Sequence, residues 1–250
     1  LRSRSRTKPG TLLKHAIPVR TFADWDEQQP GFVEIDLVAH DGGVARGEYV
    51  QTLDLTDVAT GWTELAAVPT RAQVWVFEAV QRLRARLPFP LLGIDSDNGG
   101  EFINTHLMAY CASEMITFTR GRPYRKNDSC FVEQKNWSVV RRFVGYDRFQ
   151  GEVARRALDQ LYGELRLLIN FFLPSMKLVE KTRHGSRVTK RYDRPQTPYA
   201  RVLASPTVDD HLKDQLRTLY ATLNPAALSR SIRRLQRRVA SLRAAAPPSR

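Results

Sequence analysis

The chain has 250 residues, of which 42% are hydrophobic, and a formal net charge of +13, which is enough for one large domain or one medium domain with an appendage. Cys111 and Cys130 lack C-x-x-C spacing and the five histidines form no paired cluster, which excludes a zinc site and a disulfide framework and favours a reducing cytoplasm. No apolar run approaches the roughly 18 residues that a membrane helix needs.

The positive charge is concentrated in the C-terminal part of the chain. Residues 177–250 hold 17 of the 39 Lys and Arg residues but only 5 of the 26 Asp and Glu residues. A nearly neutral body with a basic tail predicts a polyanionic partner, most simply DNA or RNA. The alternative is a solvated tail without a partner.

Residues 1–30 are predicted to be a linker, because they are basic and are interrupted by Pro9, Pro18 and Pro30. The sequence begins with Leu1 and not with Met. We therefore expect a fragment from which an N-terminal DNA-binding domain is missing.

Three strands are predicted next, over about 32–39, 47–54 and 60–67. The second and third show the alternation of polar and apolar residues that is typical of strands. Asp41-Gly42-Gly43 and the segment 57–61 supply turns between them. The three strands should form an antiparallel meander.

Helices and strands then alternate. An amphipathic helix is predicted over 71–86, and the short apolar run 91–94 suits a strand that is buried on both faces. A helix over 102–113, a strand over 116–119 and helices over 129–143 and 150–172 follow. The order β-β-β-α-β-α-β-α predicts an α/β fold with a mixed sheet and helices on both faces.

The C-terminal region, 176–250, is expected to bind DNA or to serve assembly. Residues 177–200 could form a strand pair or an extended arm. Residues 228–243 are predicted to be a basic helix, with an apolar stripe that is either a short coiled-coil seam or a docking face.

Three acidic residues indicate a catalytic site. Asp36 interrupts an apolar strand, Asp97 follows the fourth strand, and Glu133 lies in the first turns of a helix that can cross the same edge of the sheet. Three neighbouring carboxylates would raise one another's pKa. Two Mg²⁺ ions, about 3.5–4 Å apart, would remove that penalty and catalyse in-line attack at phosphorus.

Each acid also has a simpler interpretation. Asp36 could cap a strand end, Asp97 could belong to an ordinary turn, and Glu133 could be a solvated helix residue. The chemistry alone leaves Asp95 and Asp97 as alternatives for the second acid. The segment that begins at Asp95 resembles the start of a calcium-binding EF-hand loop. Its twelfth position is His106 and not Glu, which excludes an EF-hand.

The segment Ser96-Asp97-Asn98-Gly99-Gly100-Glu101-Phe102, the buried Asp36 and a glutamate 36 positions after Asp97 resemble the DDE catalytic core of retroviral integrases and bacterial insertion-sequence transposases. The resemblance covers about 31–175 and favours Asp97 over Asp95. It implies an RNase H-like five-stranded fold and dependence on Mg²⁺ or Mn²⁺. It also implies cleavage and strand transfer at transposon ends by direct transesterification, by a multimer assembled on DNA.

Other residues are candidates for DNA contact. Lys135 could reach a phosphate, as could basic residues of the preceding loop, and an aromatic residue there could stack on a splayed base. The loop candidates are Arg122, Tyr124, Arg125 and Lys126. An ordinary solvated surface is the alternative for all of them, and His40 could either approach the scissile phosphate or be structural.

Two further functions remain open at this stage. One is a metal-dependent nuclease of the ribonuclease H type, and the other is a transposase-derived DNA-binding protein without catalysis. The spacing from Asp97 to Glu133 and the basic tail favour the transposase. A protein that only binds DNA would not need clustered acids.

Overall fold

A mixed five-stranded sheet forms the centre of the protein, whose computed structural model describes residues 13, 16–20, 28–122, 129–185 and 187–245. The strand order is β3-β2-β1-β4-β5. The strands are β1 (Phe32–Ala39), β2 (Gln51–Asp57), β3 (Thr63–Val68), β4 (Gly93–Ser96) and β5 (Thr117–Arg120). The first three form an antiparallel meander, and β4 and β5 run parallel to β1.

Helices cover both faces of this sheet, and a hairpin and three more helices follow it. The sheet domain contains α1 (Gln73–Arg84), α2 (Thr105–Ser113), α3 (Cys130–Lys135), a π-helix (Asn136–Arg141), α4 (Arg142–Val144) and α5 (Gly151–Phe172). The C-terminal region contains the hairpin β6 (Leu178–His184) and β7 (Arg187–Tyr192), then α6 (Pro198–Ala204), α7 (Asp210–Thr222) and α8 (Pro225–Ala240). Within the described residues, no helix is both long enough and apolar enough to cross a membrane.

The alternation of side chains along β1 separates an apolar face from an acidic one. Val33 and Ile35 pack into a cluster with residues of α1 and α2. Glu34 and Asp36 point to the other side, where they contact Val132 and Asn136. The acidic residues therefore lie on the face that is covered by α3 and the π-helix.

A second apolar cluster joins the sheet to the C-terminal helix. Leu158, Leu161 and Leu165 of α5 are fully buried in it, together with Ile232 and Val239 of α8. The apolar stripe of α8 thus docks on the protein's own core and not on a coiled-coil partner.

A third cluster ties α6 and α7 to the same body. Trp62 and Phe171 contact each other edge to face with ring centroids 5.4 Å apart, and Val202 of α6 and Leu216 of α7 pack in the same cluster. These two helices were not predicted from the sequence. The C-terminal region is therefore packed against the sheet domain along much of its length.

The predicted mixed sheet and its antiparallel meander are confirmed, but β2 and β3 begin later than expected. β2 begins at Gln51 and not near residue 47, because Arg148 binds the carbonyl oxygens of Arg46 and Glu48 and holds this segment outside the ladder. β3 begins at Thr63, because Asp57 accepts hydrogen bonds from Thr60 and fixes the turn before it.

Candidate active site

Two pairs of acidic residues lie on neighbouring strands. Glu34 of β1 and Asp95 of β4 are register partners in the parallel ladder. Asp36 lies two residues after Glu34 on β1. Asp97 lies two residues after Asp95, directly after the end of β4. Glu34 and Asp95 are buried, whereas Asp36 is partly buried and Asp97 is exposed. A substrate can therefore reach Asp36 and Asp97 but not Glu34 and Asp95.

Asp36 is held in place by two hydrogen bonds. Its Oδ1 accepts the N–H of Leu37 at 2.8 Å, and its Oδ2 accepts the side-chain amide of Asn136 at 2.7 Å. Burial, together with the negative charges of Asp97 and Glu133, raises the pKa of Asp36 to about 6 despite these two bonds. Asp36 is therefore fixed in position by the backbone of β1 and by the side chain of Asn136.

The surroundings of Asp95 and Asp97 distinguish their roles. Asp95 is buried, and its Oδ1 accepts the hydroxyl of Thr119 on β5 at 2.6 Å. Asp97 lies in the turn after β4, where its Oδ1 accepts the N–H of Gly99 at 2.8 Å. A Cβ atom at Gly99 would approach that oxygen to 2.8 Å and the Glu101 carboxyl carbon to 2.7 Å, so a side chain at this position would displace both carboxylates.

Glu133 is brought to the acidic edge by an anchored helix start. The Oε2 atom of Glu34 accepts the N–H of Val132 at 2.8 Å, which fixes the first turn of α3 against β1. Glu133 is the next residue and is exposed. Its charge contributes to raising the pKa of both Glu34 and Asp36, whose largest cause in each case is burial.

A π-helix follows α3 directly and supplies Asn136. The segment Asn136–Arg141 has π-helical hydrogen bonding, whereas a continuous α-helix was predicted over 129–143. A π-turn inserts one extra residue and shifts the helix face, and such turns are frequent at functional sites. Here Asn136 reaches Asp36 at the start of the π-helix while Val139 and Val140 remain in the core.

The acidic face continues beneath the site. Asp54 of β2 is the register partner of Asp36, and its Oδ1 accepts the hydroxyl of Thr56 at 2.8 Å. Burial raises the pKa of Asp54 to about 8, against the opposing effects of Thr56 and Lys135. Burial likewise lowers the pKa of Lys135, while Asp54 raises it. Lys135 is half-buried, and its expected contact with a phosphate stays a prediction.

The remaining predicted residues have different positions. Tyr124, Arg125 and Lys126 lie outside the described residues, and Arg122 is exposed just after β5. His40 is fully buried, and its Nε2 lies 2.7 Å from the hydroxyl of Thr52, so it is structural. Burial lowers its pKa to about 3.

Glu34 and Asn136 help to position the acidic residues, but neither was predicted from the sequence to do so. Glu34 could have been found, because it precedes Asp36 by two positions and must share its face of the strand. Asn136 carried no comparable signal, since its contact depends on the π-helix.

The donor set suits a hard divalent cation. Asp36, Asp97 and Glu133 offer only carboxylate oxygens, the ligands that Mg²⁺ and Mn²⁺ favour. Burial is the largest cause of the raised pKa of Asp36, and the negative charges of Asp97 and Glu133, which a cation would neutralise, add to it. In the described part of the chain, however, no three His, Cys, Asp or Glu side chains are close enough to form a ready metal cage. Binding a cation would therefore require the carboxylates to converge.

Comparison with known sequences gives one relative at 49% identity over 198 residues, the uncharacterized protein y4rM of Sinorhizobium fredii (strain NBRC 101917 / NGR234). The match covers 79% of this chain and 57% of the relative, so the chain spans less than two thirds of that protein. No protein-family model matches the sequence.

Solved structures give similarities at the level of the fold. A chain of the simian T-cell lymphotropic virus intasome in complex with PP2A regulatory subunit B56 gamma matches with a TM-score of 0.50 and 14% identity, over 76% of this chain and 59% of that chain. The catalytic core domain of BIV integrase matches with a TM-score of 0.44 and 18% identity, over 76% of this chain and 98% of that one.

The HTLV-2 integrase catalytic core domain in complex with magnesium matches with a TM-score of 0.43 and 15% identity, over 58% of this chain and 90% of that chain. Together with the strand order, the intasome match identifies the fold. The chain has an integrase-like, RNase H-like fold.

Proposed function

We propose that the protein is a metal-dependent DNA transposase or integrase that cleaves and joins DNA strands by direct transesterification. The observation that carries this proposal is the position of Asp36 on β1 and of Asp97 directly after the neighbouring parallel strand β4. Glu133 follows Val132, whose N–H is bound by Glu34 on the same strand as Asp36, which supports a site that all three acids would share at one edge of the sheet. The fold shared with an intasome chain is consistent with it.

The residues around Asp36 would act as positioning groups. Leu37 and Asn136 hold both of its oxygens, Gly99 holds one oxygen of Asp97, and Glu34 fixes the turn that precedes Glu133. Asp36, Asp97 and Glu133 would hold divalent cations. When bound, Mg²⁺ or Mn²⁺ would activate the attacking oxygen and stabilise the negative charge on the leaving 3′ oxygen.

A strand-transfer assay tests the proposal. Labelled duplexes carry the transposon-end sequences from the DNA that flanks the gene, with their 3′ ends already exposed by cleavage. They are mixed with the protein, a supercoiled target plasmid and Mg²⁺ or Mn²⁺. We expect joined product that needs the metal and that disappears in Asp36→Asn, Asp97→Asn and Glu133→Gln variants. The same variants should still bind DNA.

Three outcomes would contradict the proposal or its assignment. Cleavage of an RNA–DNA hybrid without any joining would identify a ribonuclease H-type nuclease. DNA binding without chemistry under either metal would favour a non-catalytic binding protein. Joining that survives Asp97→Asn but is lost in Asp95→Asn would mean that the second acid is Asp95.

A further inference from the structure

Helix α8 presents two faces of opposite character. Its apolar side, with Leu228, Ile232 and Val239, is buried against the core. Its outer side carries five exposed arginines. They are Arg230, Arg233, Arg234, Arg237 and Arg238, which we call the α8 arginine face.

The α8 arginine face has no acidic counterpart. In the described part of the chain, no carboxylate forms an ion pair with any of these five guanidinium groups, although exposed arginines elsewhere are paired. Arg156 pairs with Glu152, Arg191 with Glu180 and Arg217 with Asp214. Asp214 is also the last acidic residue in the sequence, so the local chain offers α8 no nearby carboxylate.

The packing of α8 determines which kind of polyanion fits. A basic amphipathic helix often binds a membrane by inserting its apolar side. In α8 that side is already occupied by α5 and the core, with Ile232 only 2% exposed. What remains is a purely cationic surface, which favours a hydrophilic polyanion.

Arginine also matches the geometry of phosphate. Its planar guanidinium donates two parallel hydrogen bonds to a phosphate, which lysine does not do. From Arg230 to Arg238 the helix rises about 12 Å at 1.5 Å per residue. Duplex DNA carries one charge per about 1.7 Å of axis, or about seven phosphates over that length.

We propose that the α8 arginine face binds the phosphate backbone of double-stranded DNA, at a surface separate from the acidic site. This inference rests on the proposed function, because it supplies the second contact by which the enzyme would hold its DNA substrate. Contacts of this kind fix position and carry no sequence information. The face should therefore bind DNA without regard to base sequence.

The test compares two triple variants that change the net charge equally. The first is Arg230→Gln with Arg233→Gln and Arg237→Gln. Within the described structure these three guanidinium groups make no hydrogen bond or ion pair, and glutamine preserves helix propensity. The matched control is Arg156→Gln with Arg191→Gln and Arg217→Gln, which removes three exposed arginines that are ion-paired.

Binding to a 30-base-pair duplex is measured by fluorescence anisotropy between 50 and 200 mM salt, with circular dichroism to verify folding. Each lost phosphate contact lowers the slope of log K against log salt by about 0.9. The α8 variant should therefore lose about 2–3 units of slope and bind at least tenfold more weakly at low salt, and the control should keep the wild-type slope.

Equal behaviour of the two triple variants would overturn the inference. So would an α8 variant that binds DNA normally but has lost binding to vesicles containing phosphatidylserine. The strand-transfer assay separates this result from the proposed function. A protein that binds DNA through α8 but never joins strands would contradict only the proposed function, and joining with an unchanged salt slope would contradict only the inference.

Discussion

Arg148 is a buried cation that organises the connection between β1 and β2. Its side chain is 2% exposed. One guanidinium nitrogen donates to the carbonyl oxygens of Asp41 and Val44, at 3.0 and 2.8 Å, and the other donates to those of Arg46 and Glu48, at 2.8 and 3.1 Å. The fixed fork of arginine satisfies four carbonyl groups at once, which a single ammonium group cannot reach.

Arg148→Lys should therefore lower the free energy of unfolding by about 2–3 kcal/mol, because hydrogen bonds to charged groups contribute about 1.5–3 kcal/mol each and lysine keeps only some of them. Urea unfolding followed by circular dichroism measures the change. Arg156→Lys, on the exposed face of α5, is the control and should be neutral. A neutral Arg148→Lys would mean that the loop is held by other contacts.

Asp54 predicts a pH dependence of stability. Its pKa is raised to about 8 in the folded protein, against an ordinary value of about 3.9 in the unfolded chain. Between these values the folded state keeps a proton that the unfolded state has released. Stability should therefore fall as the pH rises from about 4 to about 8, by at most about 1.4 kcal/mol per pH unit from this residue.

Asp54→Asn removes this titration, so the variant should lose less stability than the wild type between pH 5 and pH 8. Urea midpoints at several pH values measure the difference. Asp214→Asn, at an exposed position on α7, is the control and should follow the wild-type profile. Parallel profiles for Asp54→Asn and the wild type would show that Asp54 is already ionised in the folded protein at low pH.

At the scale of elements, α3 is anchored at its start by the side chain of Glu34. Glu34 accepts the N–H of Val132, and the six-residue helix that follows has no side-chain cap. Glu34→Ala should remove this anchor and raise the exchange rate of the Val132 amide about tenfold, which corresponds to one hydrogen bond of about 1–1.5 kcal/mol.

Glu34→Gln keeps an acceptor oxygen and should leave that amide protected. Hydrogen exchange measured by NMR distinguishes the two variants. The same comparison in the strand-transfer assay should show a larger loss for Glu34→Ala, because Glu133 lies one residue beyond the anchor. Equal protection in both variants would mean that packing alone holds α3 on the sheet.

The elements show how far the sequence could predict the fold. Alternation along β2 and β3 and the apolar run at β4 were local signals, so the antiparallel meander and the strand before Asp97 could be inferred. The start of β2 could not, because it depends on Arg148, which is about 100 residues away. The π-helix, and with it the contact of Asn136, depends on packing against the sheet and has no local signature.

At the scale of the whole molecule, the C-terminal region is expected to unfold together with the sheet domain. Ile232 and Val239 of α8 belong to the same apolar cluster as the buried leucines of α5 and Leu65 of β3. Residues 176–250 were predicted to be a region of their own. The core that they share with the sheet domain favours a single cooperative transition.

Two changes test this coupling. Ile232→Ala should destabilise the entire protein by about 2–4 kcal/mol, the usual cost of truncating a buried isoleucine, and deletion of 225–250 should lower the melting temperature of the sheet domain itself. Calorimetry measures both, and Arg234→Ala on the exposed side of α8 is the control. If the sheet domain melts at an unchanged temperature after the deletion, α8 is an appendage whose contacts add nothing to the core. In that case the α8 arginine face would be carried by a part of the protein that can detach from the acidic site.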